Sequence, residues 1–421
     1  MKTATTNEVR QALIDRREIA LFDVRDEAVF AEAHPLFAAN LPLERLELDI
    51  LDRVPRQTTP IVVYDEGEGR AEESLPRLAV LGYSNVSVLQ GGLEGWRSAG
   101  AEIFRDVNTP SKAFGELVES RRHTPSLTAS EVHALIERGA DLVVLDARRR
   151  DEYQTMSIPT AISVPGAELV YRAPSIAPRP ETLVIVNCAG RTRSIIGTQS
   201  LVNAGVVQHV AALRNGTIGW VLDGFTLDHG QKRTAPAIDA DAAARARSAA
   251  RDVARRAGVR RVTSSELAAL LGDSARTTYR FDVRTPEEYE AGHPSGFRSA
   301  PGGQLVQEAD VFAPVRGARI ALWDDQAARA DMTASWLAQM AWEVYVLDAA
   351  FAPTDLEAGP WRPPQFRVPV TAEGSSSGQR RYKRPYEGTD NPREAMQAYL
   401  DWEYGLVAQL ERDGTHGFFV I

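Results

Sequence analysis

The 421-residue sequence predicts an α/β chain of three tandem repeats, each a small central parallel sheet flanked by helices, followed by a C-terminal helical tail. Three observations predict it. Apolar runs end in Asp-x-Arg three times, at Leu21 to Arg25, Val143 to Arg148 and Tyr279 to Arg284, and each reads as a buried strand. A second set of short apolar strands, 61–64, 184–187 and 320–323, is followed by Asp65, Cys188 and Asp324. The spacings agree: Asp23 to Asp146 and Asp65 to Cys188 are both 123 positions, while Asp146 to Asp282 and Cys188 to Asp324 are both 136. Two independent landmarks sharing one offset indicate a true repeat.

Each loop after the second strand leads into a helix-like stretch and then another small strand, at 86–89, 210–213 and 344–347. Repeats one and two continue into GGLEGW (Gly91 to Trp96) and NGTIGW (Asn215 to Trp220), whereas repeat three reads DAAFAP. Strands alternating with helical crossovers imply parallel pairing. The expected domains are 1–110, 120–230 and 259–360. Residues 231–258, rich in Ala and Arg, are expected to form an exposed helical linker whose basic face is solvated. Residues 371–384 read as flexible linker, within a C-terminal unit of 371–421. Asn391-Pro392-Arg393-Glu394 has the pattern of an N-cap, a first-turn Pro and a capping-box Glu. The helix after it, through about Arg412, carries an apolar face expected to pack on a domain or on a second subunit.

Composition narrows the function. The chain is 43% hydrophobic and 25% charged, within the range of ordinary globular proteins. No apolar run is long enough to span a membrane, and the charged start has no apolar signal core, so a cytoplasmic location is expected. A formal charge of −9 argues against nucleic acid or an anionic membrane as a general partner. The single cysteine, Cys188, excludes an internal disulfide, a cysteine zinc cluster and a resolving thiol.

Cys188-Ala189-Gly190-Arg191-Thr192-Arg193-Ser194 follows a buried strand and precedes a helix. Such a loop turns successive N–H groups inward, and a nest at a helix N-terminus suits an anion. The same field, with Arg191 and Arg193, is expected to favour thiolate over thiol.

The Asp-x-Arg strand, the strand-Cys-loop-helix and the GxxGW ending together resemble the rhodanese family, and the three repeats are similar to bacterial proteins built from tandem domains of that family. The resemblance covers residues 1 to about 350, and the 381–421 tail is similar to the C-terminal segment of those proteins. It implies that Cys188 accepts a sulfane sulfur as a persulfide and that backbone N–H groups from Ala189 to Ser194 cradle the transferring sulfur and the donor anion. Sulfur-transferring members have a six-residue loop, whereas related phosphatases have Cys-x5-Arg; here the count from Cys188 to Arg193 is Cys-x4-Arg, which favours sulfur over phosphate.

Arg148 has two readings: a ligand for the donor anion, or a structural partner of Asp146, as Asp23–Arg25 and Asp282–Arg284 suggest. Asp65 and Asp324 cannot carry a persulfide, so repeats one and three are expected to be inactive. The acids Asp65, Glu66 and Glu68 read as solvated and not as a metal site, and His34 and His293 read as structural. No cofactor or metal is expected. With no second thiol, the acceptor is external: a small thiol, cyanide, or a cysteine on a protein partner. The leading expectation is a thiosulfate-type sulfurtransferase; the alternative is a persulfide relay whose inactive repeats dock a protein.

Overall fold

A computed structural model describes residues 2–362 and 381–421. Three five-stranded parallel sheets share one strand order. Across the first sheet the strands run Thr3–Ala4, Val86–Leu89, Ile61–Tyr64, Ala20–Asp23 and Ala38–Asn40. The second runs Ser126–Leu127, His209–Leu213, Leu183–Asn187, Leu142–Asp146 and Ile162–Ser163, and the third Arg260–Val262, Glu343–Leu347, Arg319–Trp323, Thr278–Asp282 and Arg298–Ser299. The central strands are buried on both faces, which is why they read as continuous apolar runs rather than alternating ones.

Each unit opens with the same device. Thr5–Glu8, Thr128–Glu131 and Thr263–Glu266 form capping boxes, in which the threonine hydroxyl accepts from the glutamate N–H and the carboxylate accepts from the threonine N–H. The register then fixes the loops. Asp23 pairs with Tyr64, Asp146 with Asn187 and Asp282 with Trp323, so each Asp-x-Arg lies beside the strand that delivers residue 65, 188 or 324. All three loops leave the carboxyl ends of parallel strands, the end at which open α/β sheets place their ligands.

The GxxGW segment packs under the loop. Gly216, at φ +54°, has no room for a side chain because a Cβ would lie 2.3 Å from the Cys188 carbonyl oxygen. That close approach lets the Thr217 and Ile218 N–H groups donate to the carbonyls of Cys188 and Ala189 at 2.9 and 3.0 Å. In repeat one the Leu93 N–H donates to Asp65 in the same way. Trp96 and Trp220 then anchor the segment, each indole N–H donating to a carbonyl six residues on, at Glu102 and Thr226.

One connection differs from the sequence expectation. The helix Ala240–Arg256 lies within the stretch expected to be exposed, yet Ala242, Ala243, Ala246, Ala250 and Val253 are buried on one face. Small side chains at helical spacing let it lie close against the helices Leu169–Ile176 and Ala328–Gln339. The helix Thr109–Arg122, between the first two sheets, is buried over its first ten residues. Residues 371–380 of the expected flexible linker lie outside the described residues.

The tail forms two helices, Arg393–Tyr404 and Leu406–Asp413, rather than one. The expected capping box does not form: Pro392 is the N-cap, and the Asn391 side chain donates to the Glu387 carbonyl instead. The apolar face packs within the chain. Met396, Tyr399 and Leu400 meet Ile218, and Leu406 and Leu410 join the core shared by repeat one and the helix Thr109–Arg122. That face therefore does not await a second subunit. Lys112, buried on this helix, pairs with Asp106 at 2.7 Å and lies 5.1–5.5 Å from the ring centres of Tyr386, Tyr399 and Trp402.

Candidate active site

Cys188 sits at the end of Leu183–Asn187, and the helix Thr192–Ala204 begins four residues later. It is 2% exposed, so it is not on an open surface loop. Its thiol donates to Ser194 Oγ at 3.4 Å, and Ser194 Oγ donates onward to the Arg191 carbonyl at 2.8 Å. Burial pushes the Cys188 thiol above its ordinary range; Arg193 and the hydroxyl and N–H of Ser194 pull it back, and Glu403 adds to the rise. The expectation of a lowered thiol is thus overturned, because desolvation outweighs the local positive field.

The three loops place different groups in one cradle. In repeat one Asp65 accepts from the N–H groups of Gly67 and Ala71 at 3.0 and 3.1 Å. In repeat three Asp324 accepts from Arg329 and Ala330 at 2.9 and 3.3 Å. At matching positions repeat two has Gly190, Arg193 and Ser194. The loop acids of repeat one are consumed locally, since Glu66 meets Arg25 and Arg97 while Glu68 accepts from the Glu66 N–H. Among the described residues no cluster of His, Cys, Asp and Glu is arranged to hold a metal ion.

The arginines part ways. Arg191 is 3% exposed and turns away from Cys188: it makes two bonds to Glu116 at 2.7 and 2.8 Å, meets Glu119, and lies 4.0 Å from the centre of the Tyr404 ring. Arg193 takes both oxygens of Glu152 at 2.7 and 2.8 Å. Burial favours the neutral acid at Glu152, yet Arg193, Arg148 and Arg149 together bring its pKa down to about 2. Of the cavities that Arg193 lines, two are large. One, of about 340 Å³, includes Arg148, Gln307, Arg381, Arg384 and Tyr386; the other, of about 620 Å³, lies between repeats two and three beside Arg172, Arg284 and Gln304.

Arg148 is 1% exposed, bonded to both oxygens of Asp146 and to the Met156 carbonyl. Arg25 and Arg284 make the same bonds to their own aspartates and to the Ala33 and Gly292 carbonyls. The common geometry, with and without a cysteine, makes this pair part of the scaffold. His34 is likewise consumed, its ring nitrogens 2.8 and 2.9 Å from the Pro35 and Asp106 carbonyls.

Sequence reasoning missed the groups that close over the loop. A Cβ at Gly190 would lie 3.2 Å from Tyr399 and 3.3 Å from Glu403 Oε2. Glu403 is fully buried, with Oε1 accepting from the Tyr399 hydroxyl at 2.7 Å. Its placement on the apolar face of the tail helix, one turn after Tyr399, was the available signal.

Comparison with known proteins agrees with this architecture. The Rhodanese-like domain family matches residues 5–99 and 128–223. A stretch of 100 residues is 32% identical to an uncharacterized protein of Synechocystis, covering 24% of this chain and about half (55%) of that relative. The crystal structure of thiosulfate sulfurtransferase from Pseudomonas aeruginosa is 52% identical over 100% of both chains, with a TM-score of 0.96. With the matched segments carrying the strand-loop-helix that holds Cys188, and with a full-length relative of the same architecture, the chain belongs to the rhodanese-like family.

Proposed function

We propose that the protein is a sulfurtransferase that takes a sulfane sulfur from thiosulfate, or a related donor, onto Cys188 and passes it to a small thiol or cyanide. One observation carries the reading. The N–H groups of Ala71 and Ala330 are taken by the carboxylates of Asp65 and Asp324, whereas at the matching position in repeat two the N–H and hydroxyl of Ser194 meet the Cys188 thiol. An aspartate places an anionic oxygen two bonds beyond Cβ, and a cysteine persulfide places its terminal sulfur at the same count. The two acids are therefore permanent counterparts of the loaded cysteine, and repeats one and three are inactive scaffolds in this reading. The full-length relative named as a thiosulfate sulfurtransferase supports the donor.

The chemistry is a double displacement. Cys188 thiolate attacks the outer sulfur of thiosulfate; the new Sγ–S bond forms as the thiosulfate S–S bond breaks, and sulfite leaves with the electron pair. An acceptor thiolate or cyanide then attacks the terminal sulfur, and Cys188 leaves as thiolate. Arg193, at the meeting of two cavities, and the N–H groups of Ala189 to Ser194 hold the negative charge through both steps.

Intact mass after incubation with thiosulfate tests this. The wild-type chain should gain one sulfur atom and lose it on adding cyanide, and Cys188→Ser should gain none while keeping its thermal transition. Sulfur loading on the serine variant would overturn the assignment.

A further inference from the structure

The tail helix Arg393–Tyr404 brings a carboxyl group against the cysteine loop, and the sulfur-transfer scheme above gives that group no task. Glu403 Oε2 is buried with no hydrogen-bond partner among the described residues, and it faces Gly190 of the cysteine loop, where an added Cβ would lie 3.3 Å from it. We propose that Glu403 is a positioning residue that sets the ionisation of Cys188 from across Gly190, so that the tail is a working part of this site and not only its cover. The proposal rests on Cys188 being the nucleophile.

The physical argument is that two negative charges in one desolvated space oppose each other. Cys188 faces Arg193 and Ser194 on its own loop and Glu403 on the tail. Glu403 faces Glu116 and Lys112 on the helix Thr109–Arg122, Arg191 on the loop, and Tyr399 on its own helix. Burial, with Glu116 adding to it, pushes Glu403 up to about 8, against Lys112, Tyr399 and Arg191. Both groups hold their protons more tightly than usual, so the site gives up its first proton above neutrality, and the singly protonated site then has two forms: Glu403 carboxylate with Cys188 thiol, or Glu403 acid with Cys188 thiolate. Passing from the first form to the second moves one proton and leaves the net charge unchanged. A neutral Glu403 permits the nucleophile; an ionised one opposes it. With Arg191 committed to Glu116 and Glu119, this acid is the group on the tail side that can adjust to the charge on sulfur.

Because Cys188 is the only cysteine, alkylation by iodoacetamide followed by intact mass reads this one thiol over a pH series. Glu403→Gln should lower the pH midpoint of alkylation by about one unit, the low end of what a removed like charge gives. Glu403→Asp should stay near wild type. Tyr399→Phe removes the hydroxyl that holds Glu403 ionised, so its midpoint should fall in the same direction by less. A merely structural role would slow alkylation, or speed it, at every pH without moving the midpoint. An unmoved or raised midpoint in Glu403→Gln overturns the proposal; if that variant does not fold, the same criterion applied to Tyr399→Phe decides. Failure of the wild-type chain to take sulfur from thiosulfate would instead remove the sulfurtransferase reading, since alkylation needs no sulfur donor.

Discussion

Arg191 and Arg193 stand two residues apart and their side chains leave the loop in different directions. Arg191 neutralises Glu116, which is 4% exposed, so truncating it leaves a buried carboxylate without its partner. Breaking one side of such a pair costs about 3–5 kcal/mol. Arg191→Ala should therefore lower the unfolding free energy by that order, read by denaturant titration. Arg193→Ala should unfold closer to wild type, because Glu152 is part-exposed, but should raise the KM for thiosulfate by roughly tenfold, the value of one charge-assisted hydrogen bond. Equal losses of stability in the two variants, with equal KM values, would refute this division. The sequence placed both arginines in the field of the thiol because loop position was legible while side-chain direction was not. Direction depends on the helix Thr109–Arg122, whose acids lie more than 70 positions away.

At the scale of elements, the strand-loop-helix has two supports, the GxxGW segment below and the tail helix above. Gly216→Ala tests the lower one. Its left-handed backbone costs a non-glycine residue about 1–3 kcal/mol, and the added methyl also meets the Cys188 carbonyl. Gly139, at φ +64° with open space around it, supplies the control: Gly139→Ala carries the strain without the collision. Sulfur loading should fall steeply in the first variant and stay near wild type in the second. Repeat three offers a pH test of the same element. Burial, only partly offset by Arg329, raises Asp324 to about 6, so the native state binds its proton more tightly than the unfolded chain does. Stability from this group is present at low pH and is lost as pH rises from about 4 to about 6. Asp324→Asn should be more stable than wild type at pH 7, by up to about 3 kcal/mol, with the advantage vanishing near pH 4. An advantage that grows toward pH 4 would contradict the sign. The strands of these elements were legible because buried parallel strands are continuously apolar. The capping boxes at Thr5, Thr128 and Thr263 were equally legible as Thr-x-x-Glu, and reading them would have fixed the start of each unit.

At the scale of the molecule, the repeats do not behave as beads on a string. The Trp336 indole of repeat three donates to Ser200 Oγ at 2.8 Å beside the Cys188 helix, and Arg329 pairs with Glu168 of repeat two at 2.9 Å. Repeat one meets repeat three through the Tyr279 hydroxyl on the Arg53 carbonyl at 2.6 Å and through Glu18 on the Thr277 N–H at 2.5 Å. One apolar core holds residues of repeat one, the helix Thr109–Arg122, repeat three and the tail together. None of this was readable from the sequence, because a repeat pattern reports what each unit keeps in common, whereas these contacts use what differs between units. Their number sets the cooperativity. Independent domains joined by linkers would melt in separate steps, while units sharing a core lose one another's support as each unfolds. The chain should therefore show one calorimetric transition. Trp336→Phe, which keeps the ring against Phe114 but drops the hydrogen bond to Ser200, should lower that single transition by about 1 kcal/mol without splitting it. Two or three resolved transitions in the wild-type chain, each following the fluorescence of tryptophans in a different repeat, would mean that the shared core does not couple the units.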